Sequence, residues 1–198
     1  MTIRSARPED AGFIAQTILR SMRGYRPRGW FDVARVAATR AVSMWHVSQY
    51  WIAEIEGAPG AALCAVPAAG TGPAAWRAIE EVAAAIGLTA SELEAIRQRG
   101  GYARGCWVQG GEGDWMIEHV ATDPAYGGSG LVQALIAHAL DQGRAAGFGR
   151  ATISFLIGNV PAERAYAKAG FVLAEEKRDT AFEAIIGAPG FRMFARAI

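Results

Sequence analysis

The hydrophobic positions change period along the chain, and the changes mark out its elements. Residues 2–6 alternate Ile3 with polar or small neighbours, as a strand does. Pro8, Glu9 and Asp10 then signal a helix start, and Ile14, Ile18 and Met22 recur at helical spacing. Between residues 24 and 50 the period blurs. Pro27, Gly29, Trp30 and Phe31 precede a stretch that spaces Val33, Val36 and Val42 as a helix would. Two apolar runs then flank Glu56, Gly57, Ala58, Pro59 and Gly60, which predicts a β-hairpin. Residues 71–99 predict two helices. The first puts Trp76, Ile79, Val82, Ala83 and Ile86 on one face, and the second restarts after Gly87 with Thr89 and Glu92 in capping-box relation.

The second half reads more sharply. Period two across residues 115–122 sets Met116, Glu118, Val120 and Thr122 on one face and Trp115, Ile117, His119 and Ala121 on the other. A carboxylate and an imidazole are thus expected on opposite sides of one strand, with His119 as a core or surface histidine. Residues 131–147 predict a helix with Leu131, Leu135 and Ala139 in register and Gly147 as its stop. Residues 150–157 are an apolar run typical of a central strand. A short helix follows from Asn159, with Pro161 in its first turn and Gly170 at its end. Residues 172–178 and 191–198 predict closing strands. With no internal repeat or long linker, the pattern implies one mixed α/β domain over residues 1–198, with helical insertions at about 24–48 and 70–100.

Composition narrows the function. A chain that is 52% hydrophobic and 20% charged is not disordered, and 20 Lys+Arg against 19 Asp+Glu give no field that would attract nucleic acid or an anionic membrane. The charged start carries no signal-peptide core and no run is long enough to span a bilayer, so a cytoplasmic protein acting on a small molecule is expected. Cys64 and Cys106 are too few for a metal cluster, so no metal is expected.

The candidate chemistry begins at residues 123–140, DPAYGGSGLVQALIAHAL, where Gly127, Gly128, Ser129 and Gly130 separate a predicted strand from a predicted helix. That order aims unpaired backbone N–H groups at one point, with the helix dipole behind them, and suits a phosphate or pyrophosphate. Two common nucleotide loops are excluded. No Lys follows Gly130, and Val132 and Gln133 stand where a dinucleotide loop would need further glycine.

One helix and one strand later, residues 159–171 read N-x-x-A-x-x-x-Y-x-K-x-G-F. Together the two segments resemble the GNAT superfamily of N-acetyltransferases, which move an acetyl group from acetyl-CoA to an amine. Pro124, Tyr126, Gly128, Gly130, Leu131 and Leu135 match the family's pyrophosphate loop. Asn159, Ala162, Tyr166, Lys168, Gly170 and Phe171 match its second motif. The loop departs from the family at Gly127, usually Arg, and at Val132, usually Gly or Ala. The likeness is firm over residues 115–178, looser over 2–22 and 50–67, and absent from the helical stretches between.

The resemblance implies an α/β (α+β) fold with a mixed, mostly antiparallel central sheet flanked by helices. It also implies acetyl-CoA as co-substrate and a small-molecule or peptide amine as acceptor, and leaves a homodimer open. Gly127, Gly128, Ser129, Gly130, Leu131 and Val132 would hold the pyrophosphate. The backbone of Val120, Ala121 and Thr122, with Asn159, would line the pantetheine arm. Glu118 would act as the base, or stand as an ordinary strand carboxylate; Tyr166 would protonate the departing thiolate, or anchor its helix. Tyr25, Trp30, Phe31, Trp45, Trp107 and Trp115 make the unmatched parts aromatic, either as packing residues of the insertions or as a cleft for an apolar or cationic amine would be. An alternative is a CoA-binding module of the same fold without turnover; a longer acyl chain or a hydroxyl acceptor is a further variant.

Overall fold

The computed structural model describes residues 1–21, 30–40 and 43–198. The chain enters through β1 (Thr2–Ser5), a short 3-10 turn, and α1 (Ala11–Ser21), then α2 (Trp30–Arg40). The hairpin of β2 (Tyr50–Ile55) and β3 (Ala58–Pro67) turns on Glu56 and Gly57, both left-handed at φ 53 and 81. Two residues of positive φ match the twist of the flanking strands, so the turn is tighter than the five-residue loop the sequence implied. Met22, Tyr25 and Val42 lie outside the described residues.

The inserted helices are α3 (Thr71–Ala85) and α4 (Ala90–Tyr102). The expected capping box opens α4: Thr89 Oγ1 accepts from the Glu92 amide at 3.2 Å, and Glu92 Oε2 accepts from the Thr89 amide at 2.8 Å. After them come β4 (Trp115–Thr122), α5 (Leu131–Ala145), β5 (Arg150–Leu156), α6 (Val160–Lys168), β6 (Val172–Arg178), α7 (Thr180–Ile186) and β7 (Gly190–Ala197). Helix α7 was not expected from the pattern. Asp179 caps it by accepting from the Phe182 amide at 2.8 Å, and Gly187 ends it with φ 78.

The strands form one seven-stranded sheet in the order β1-β2-β3-β4-β5-β7-β6. Among these neighbours only β4 and β5 run parallel, because α5 carries the chain back to its starting end; every other pairing is antiparallel. The mixed, mostly antiparallel sheet expected from the resemblance is therefore present. On one face, α1, α2 and α3 bury Ile14, Ile18, Val33 and Val82 against Tyr50, Ile52 and Met116. On the other, α5 buries Leu131, Leu135 and Ile136 against Leu63, Ile117 and Ile153, each side chain contributing about 1.5–3 kcal/mol. A smaller cluster of Cys106, Leu156 and Phe182 lies under α7. Among the described residues no helix is long and apolar enough to cross a membrane.

Helix α5 is fixed against the sheet by a close approach. A Cβ on Gly143 would stand 2.7 Å from Trp115 Cδ1 and 2.8 Å from Ile198 Cδ1, in a space already filled. Alanine would favour the isolated helix, yet here overpacking against a buried indole dominates. Gly143→Ala is expected to destabilise the protein by about 1–3 kcal/mol, read from thermal or denaturant unfolding.

Candidate active site

Strand β4 carries one residue too many. Cys64 of β3 stands opposite Glu118, but Ala62, two residues earlier, stands opposite Ala121, three residues later. The surplus is a β-bulge, and His119 within it has φ 51, a left-handed backbone uncommon outside glycine. Beyond a bulge the side-chain alternation reverses. Val120 therefore packs with Trp115 and Ile117 on the α5 face, while His119 joins Glu118 on the α1 face. This corrects the sequence expectation, which put Val120 beside Glu118 and His119 opposite.

Pairing between β4 and β5 ends at Ile117 and Ile153, although both strands continue. Into the gap opens a cavity lined by Glu118, His119, Asn159, Tyr166, Trp107 and Ser21, among others. Glu118 is 8% exposed, and its carboxyl group has no hydrogen-bond or ion-pair partner among the described residues. Burial without compensation disfavours the charged form and pushes its pKa up to about 8. Tyr166 reaches the cavity from α6, its ring edge-on to Phe155 at 5.4 Å. Burial first, and the charge of Glu118 second, push its phenol up, so the hydroxyl stays a proton donor.

The other groups around Glu118 are structural or already engaged. Cys64, its cross-strand partner, is fully buried, and desolvation pushes its thiol well up, which leaves no thiolate for nucleophilic work. Asn159 caps α6 by accepting from the Ala162 amide at 3.4 Å while lining the cavity, so both roles foreseen for it are compatible. His119 shares a 2.8 Å hydrogen bond between its Nδ1 and the Tyr50 hydroxyl, and its ring stacks on Trp45 at 4.9 Å.

At the end of β4 the chain turns through Pro124–Tyr126 into the glycine loop. Gly128 and Gly130 hold φ 78 and 82, and Gly130 takes the N-cap position of α5 without a side-chain cap. The amides of Gly128, Gly130, Leu131, Val132 and Gln133 meet no acceptor among the described residues. Several convergent donors at a helix N-terminus form an anion cradle. Val132 is partly buried against the core on the α5 face of the sheet. The loop is tied on two sides: Asp123 pairs with Arg20 of α1 at 3.0 Å, and Gln133 Nε2 donates to the Ala165 carbonyl of α6 at 2.8 Å.

The aromatic expectations divide. Trp107 lines the cavity, joined edge-to-face at 5.1 Å by Phe191, which sequence reasoning missed. Trp115 does not: its indole lies in the core, donating to the Ala139 carbonyl at 2.8 Å and packing on Phe148. Phe31 packs against the α1–α3 core, and Tyr25 and the Trp30 side chain lie outside the described residues.

One family model, described as Acetyltransferase (GNAT) family, matches residues 19–171 of the chain. The chain belongs to the GNAT acetyltransferase family. Solved structures agree on the fold. An N-acetyltransferase from Staphylococcus aureus Mu50 superposes with a TM-score of 0.74 at 19% identity, covering 99% of this chain and 100% of that one. A Mycobacterium tuberculosis protein solved with CoA gives 0.56 at 15%, covering 100% and 99%. An agmatine N-acetyltransferase gives 0.59 at 15%, again covering 100% and 99%. No curated protein sequence matches significantly.

Within the GNAT frame, Gly127 is the position where the cradle lacks a cationic side chain. Its backbone, at φ −55, suits any residue, and the nearest atom to an added Cβ is the Pro124 carbonyl oxygen at an ordinary 3.5 Å. Gly127→Arg is expected to tighten CoA binding about 3- to 10-fold by calorimetry, with the gain shrinking as salt is raised. Unchanged affinity would place the pyrophosphate elsewhere.

Proposed function

We propose that this GNAT protein transfers the acetyl group of acetyl-CoA to an amine of a small molecule or peptide, by direct attack of the amine on the thioester. The observation that carries the reading is the convergence of Glu118 and Tyr166, from opposite faces of the sheet, on one cavity where β4 and β5 part. The open amides of Gly128 and of residues 130–133 fit a pyrophosphate at the end of the same strand. The free edge of β4 at Val120, Ala121 and Thr122 suits the pantetheine amides, as an added strand would. Bound there, the thioester supplies the activated acetyl group.

The chain's own residues supply the rest. Glu118 takes a proton from the acceptor nitrogen, a role suited to a base whose pKa lies near working pH. A main-chain N–H near Val120 stabilises the developing oxyanion. Tyr166, kept protonated by burial, donates to the leaving sulfur. Trp107 and Phe191 favour an acceptor with an apolar or cationic body. The protein acts as one domain over residues 1–198.

Calorimetry with acetyl-CoA, then thiol release over a panel of amines, tests this. No binding overturns the assignment, and binding without turnover on any amine favours a CoA-binding module.

Glu118→Gln is expected to lower kcat/KM by about 10²–10⁴-fold, and Tyr166→Phe to lower kcat. In the wild type kcat/KM should rise with pH through about 8 as the carboxylate forms, and Glu118→Gln should lose that limb. Stability runs the opposite way. The folded pKa is raised above 4.5, so this group's contribution to stability is present below 4.5 and is lost as pH rises through about 8. Above that pH, Glu118→Gln should melt at a higher temperature than the wild type.

A further inference from the structure

The glycine loop, residues 127–130, runs between two anchored side chains, and both anchors rest on one residue of β3. A Cβ on Gly60 would stand 2.6 Å from Leu131 Cδ1, 3.2 Å from Tyr126 Cδ2 and 3.3 Å from Tyr126 Cγ. Tyr126 ends the turn before the loop, and Leu131 opens α5 after it. Both pack into the cluster on the α5 face of the sheet, Leu131 at 1% exposure. The place a methyl group would take at Gly60 is therefore the place where the two ends of the loop meet.

Strand β3 supplies that place through an irregularity of its own. Ala61 pairs with Ala53 of β2 and Pro59 with Glu54, which leaves Gly60 as the surplus residue of a bulge. The backbone of Gly60 is not left-handed, so no turn geometry calls for glycine there; the close approach does. Its carbonyl is engaged as well. It accepts from the Asp123 amide at 2.7 Å, which carries the β3–β4 ladder one bond past the Ala61–Thr122 pair and into the turn. Beyond Tyr126 the loop closes on itself, because the Tyr126 carbonyl accepts from the Ser129 amide at 3.2 Å and from Ser129 Oγ at 2.5 Å. The amides left open are those of the cradle.

We propose that Gly60 is a positioning residue for the pyrophosphate cradle: lacking a side chain, it lets the Tyr126 ring and Leu131 seat on β3, and so sets where the amides of Gly128, Gly130 and Leu131 stand relative to one another. The assignment rests on the acetyl-CoA reading above. It gives β3 a part in holding the co-substrate through the loop, without a contact of its own. A methyl group at Gly60 must push Leu131 into a filled core or lift the Tyr126 ring, and either shift moves one end of the loop against the other. Hydrogen bonds weaken steeply as their geometry departs from linear, so donors that share one anion lose strength together.

The test uses the full chain, CoA, and an amine that the wild type acetylates. Gly60→Ala is expected to raise the Kd for CoA about 10-fold by calorimetry. The KM for acetyl-CoA should rise in parallel, while kcat at saturating acetyl-CoA and the KM for the amine stay within about twofold of the wild type, a split that general loss of structure would not give. Leu131→Val removes the Cδ1 atom that the new methyl meets and keeps the amide. In the double variant the two changes should therefore compensate, with CoA affinity well above the product of the single losses. Tyr126→Ala leaves β3 intact and should itself raise the Kd about 3- to 10-fold, which keeps the role testable if Gly60→Ala does not fold. A Gly60→Ala protein that melts lower but binds CoA as the wild type does overturns the proposal. So does a double variant whose losses simply multiply, or a Tyr126→Ala protein of unchanged affinity. A wild type that binds no CoA overturns instead the acetyl-CoA reading; a wild type that binds CoA, with a Gly60→Ala variant that binds it equally, overturns only the role of Gly60.

Discussion

The extra residue in β4 is the constraint from which the rest of the site follows. A bulge bends its strand and increases the local twist, and here it follows Glu118, one residue beyond the last pair that β4 shares with β5. Two parallel strands that diverge leave backbone N–H and C=O groups facing a gap. Unpaired and dry, each such group would cost about 1–3 kcal/mol. The gap is therefore tenable only as a place where water or a ligand's own amides complete the ladder. The same residue turns Val120 to one face and keeps His119 with Glu118 on the other, so one irregularity creates both the opening and its lining.

The cradle depends on different forces and is held more rigidly. Its donors are the first amides of α5, and α5 is seated by the Gly143–Trp115 approach and by a face of fully buried leucine and isoleucine. The Arg20–Asp123 and Gln133–Ala165 contacts tie the loop to α1 and α6, the helices that bring Ser21 and Tyr166 to the cavity. An anion held at the cradle is thereby placed in a fixed relation to the groups that would act on the other end of the same molecule. Loop and cavity are thus joined through helix packing.

What was legible in the sequence was local. The glycine loop, the Asn159 cap and Tyr166 lie in short segments whose meaning depends on neighbours a few residues away, and the structure places Asn159 and Tyr166 on one cavity with Glu118. The strand pattern around Glu118 was legible up to the bulge and misleading after it. Met-Ile-Glu-His-Val-Ala alternates equally well with or without an extra residue, and only the register against β3 reveals the surplus. Ser21, Phe191 and the Tyr50–His119 bond are meetings between distant parts of the chain, which no local period records. Trp115 was left between cleft and core because an aromatic residue on this strand looks the same in sequence whichever way it faces; its indole packs in the core. Helix α7 carried readable signals in Asp179 and Gly187, but it is short and lies between two strands that dominated the pattern.

Glu118 joins these levels in one group. Its carboxyl group is buried between core and cavity with nothing among the described residues to compensate its charge, and the same desolvation that raises its pKa makes the carboxylate a stronger base once formed. A salt bridge there would stabilise the ionised side chain but would lower its basicity. Leaving it uncompensated keeps the proton affinity high at the cost of native-state stability at alkaline pH. Tyr166 shows the complementary outcome, since the apolar wall and the nearby carboxylate both oppose its ionisation and so preserve it as a donor. Carboxyl and phenol are thus differentiated by the residues each lacks as much as by those it touches, and where β4 parts from β5 the Glu118 carboxyl stays buried without a hydrogen-bond partner among the described residues.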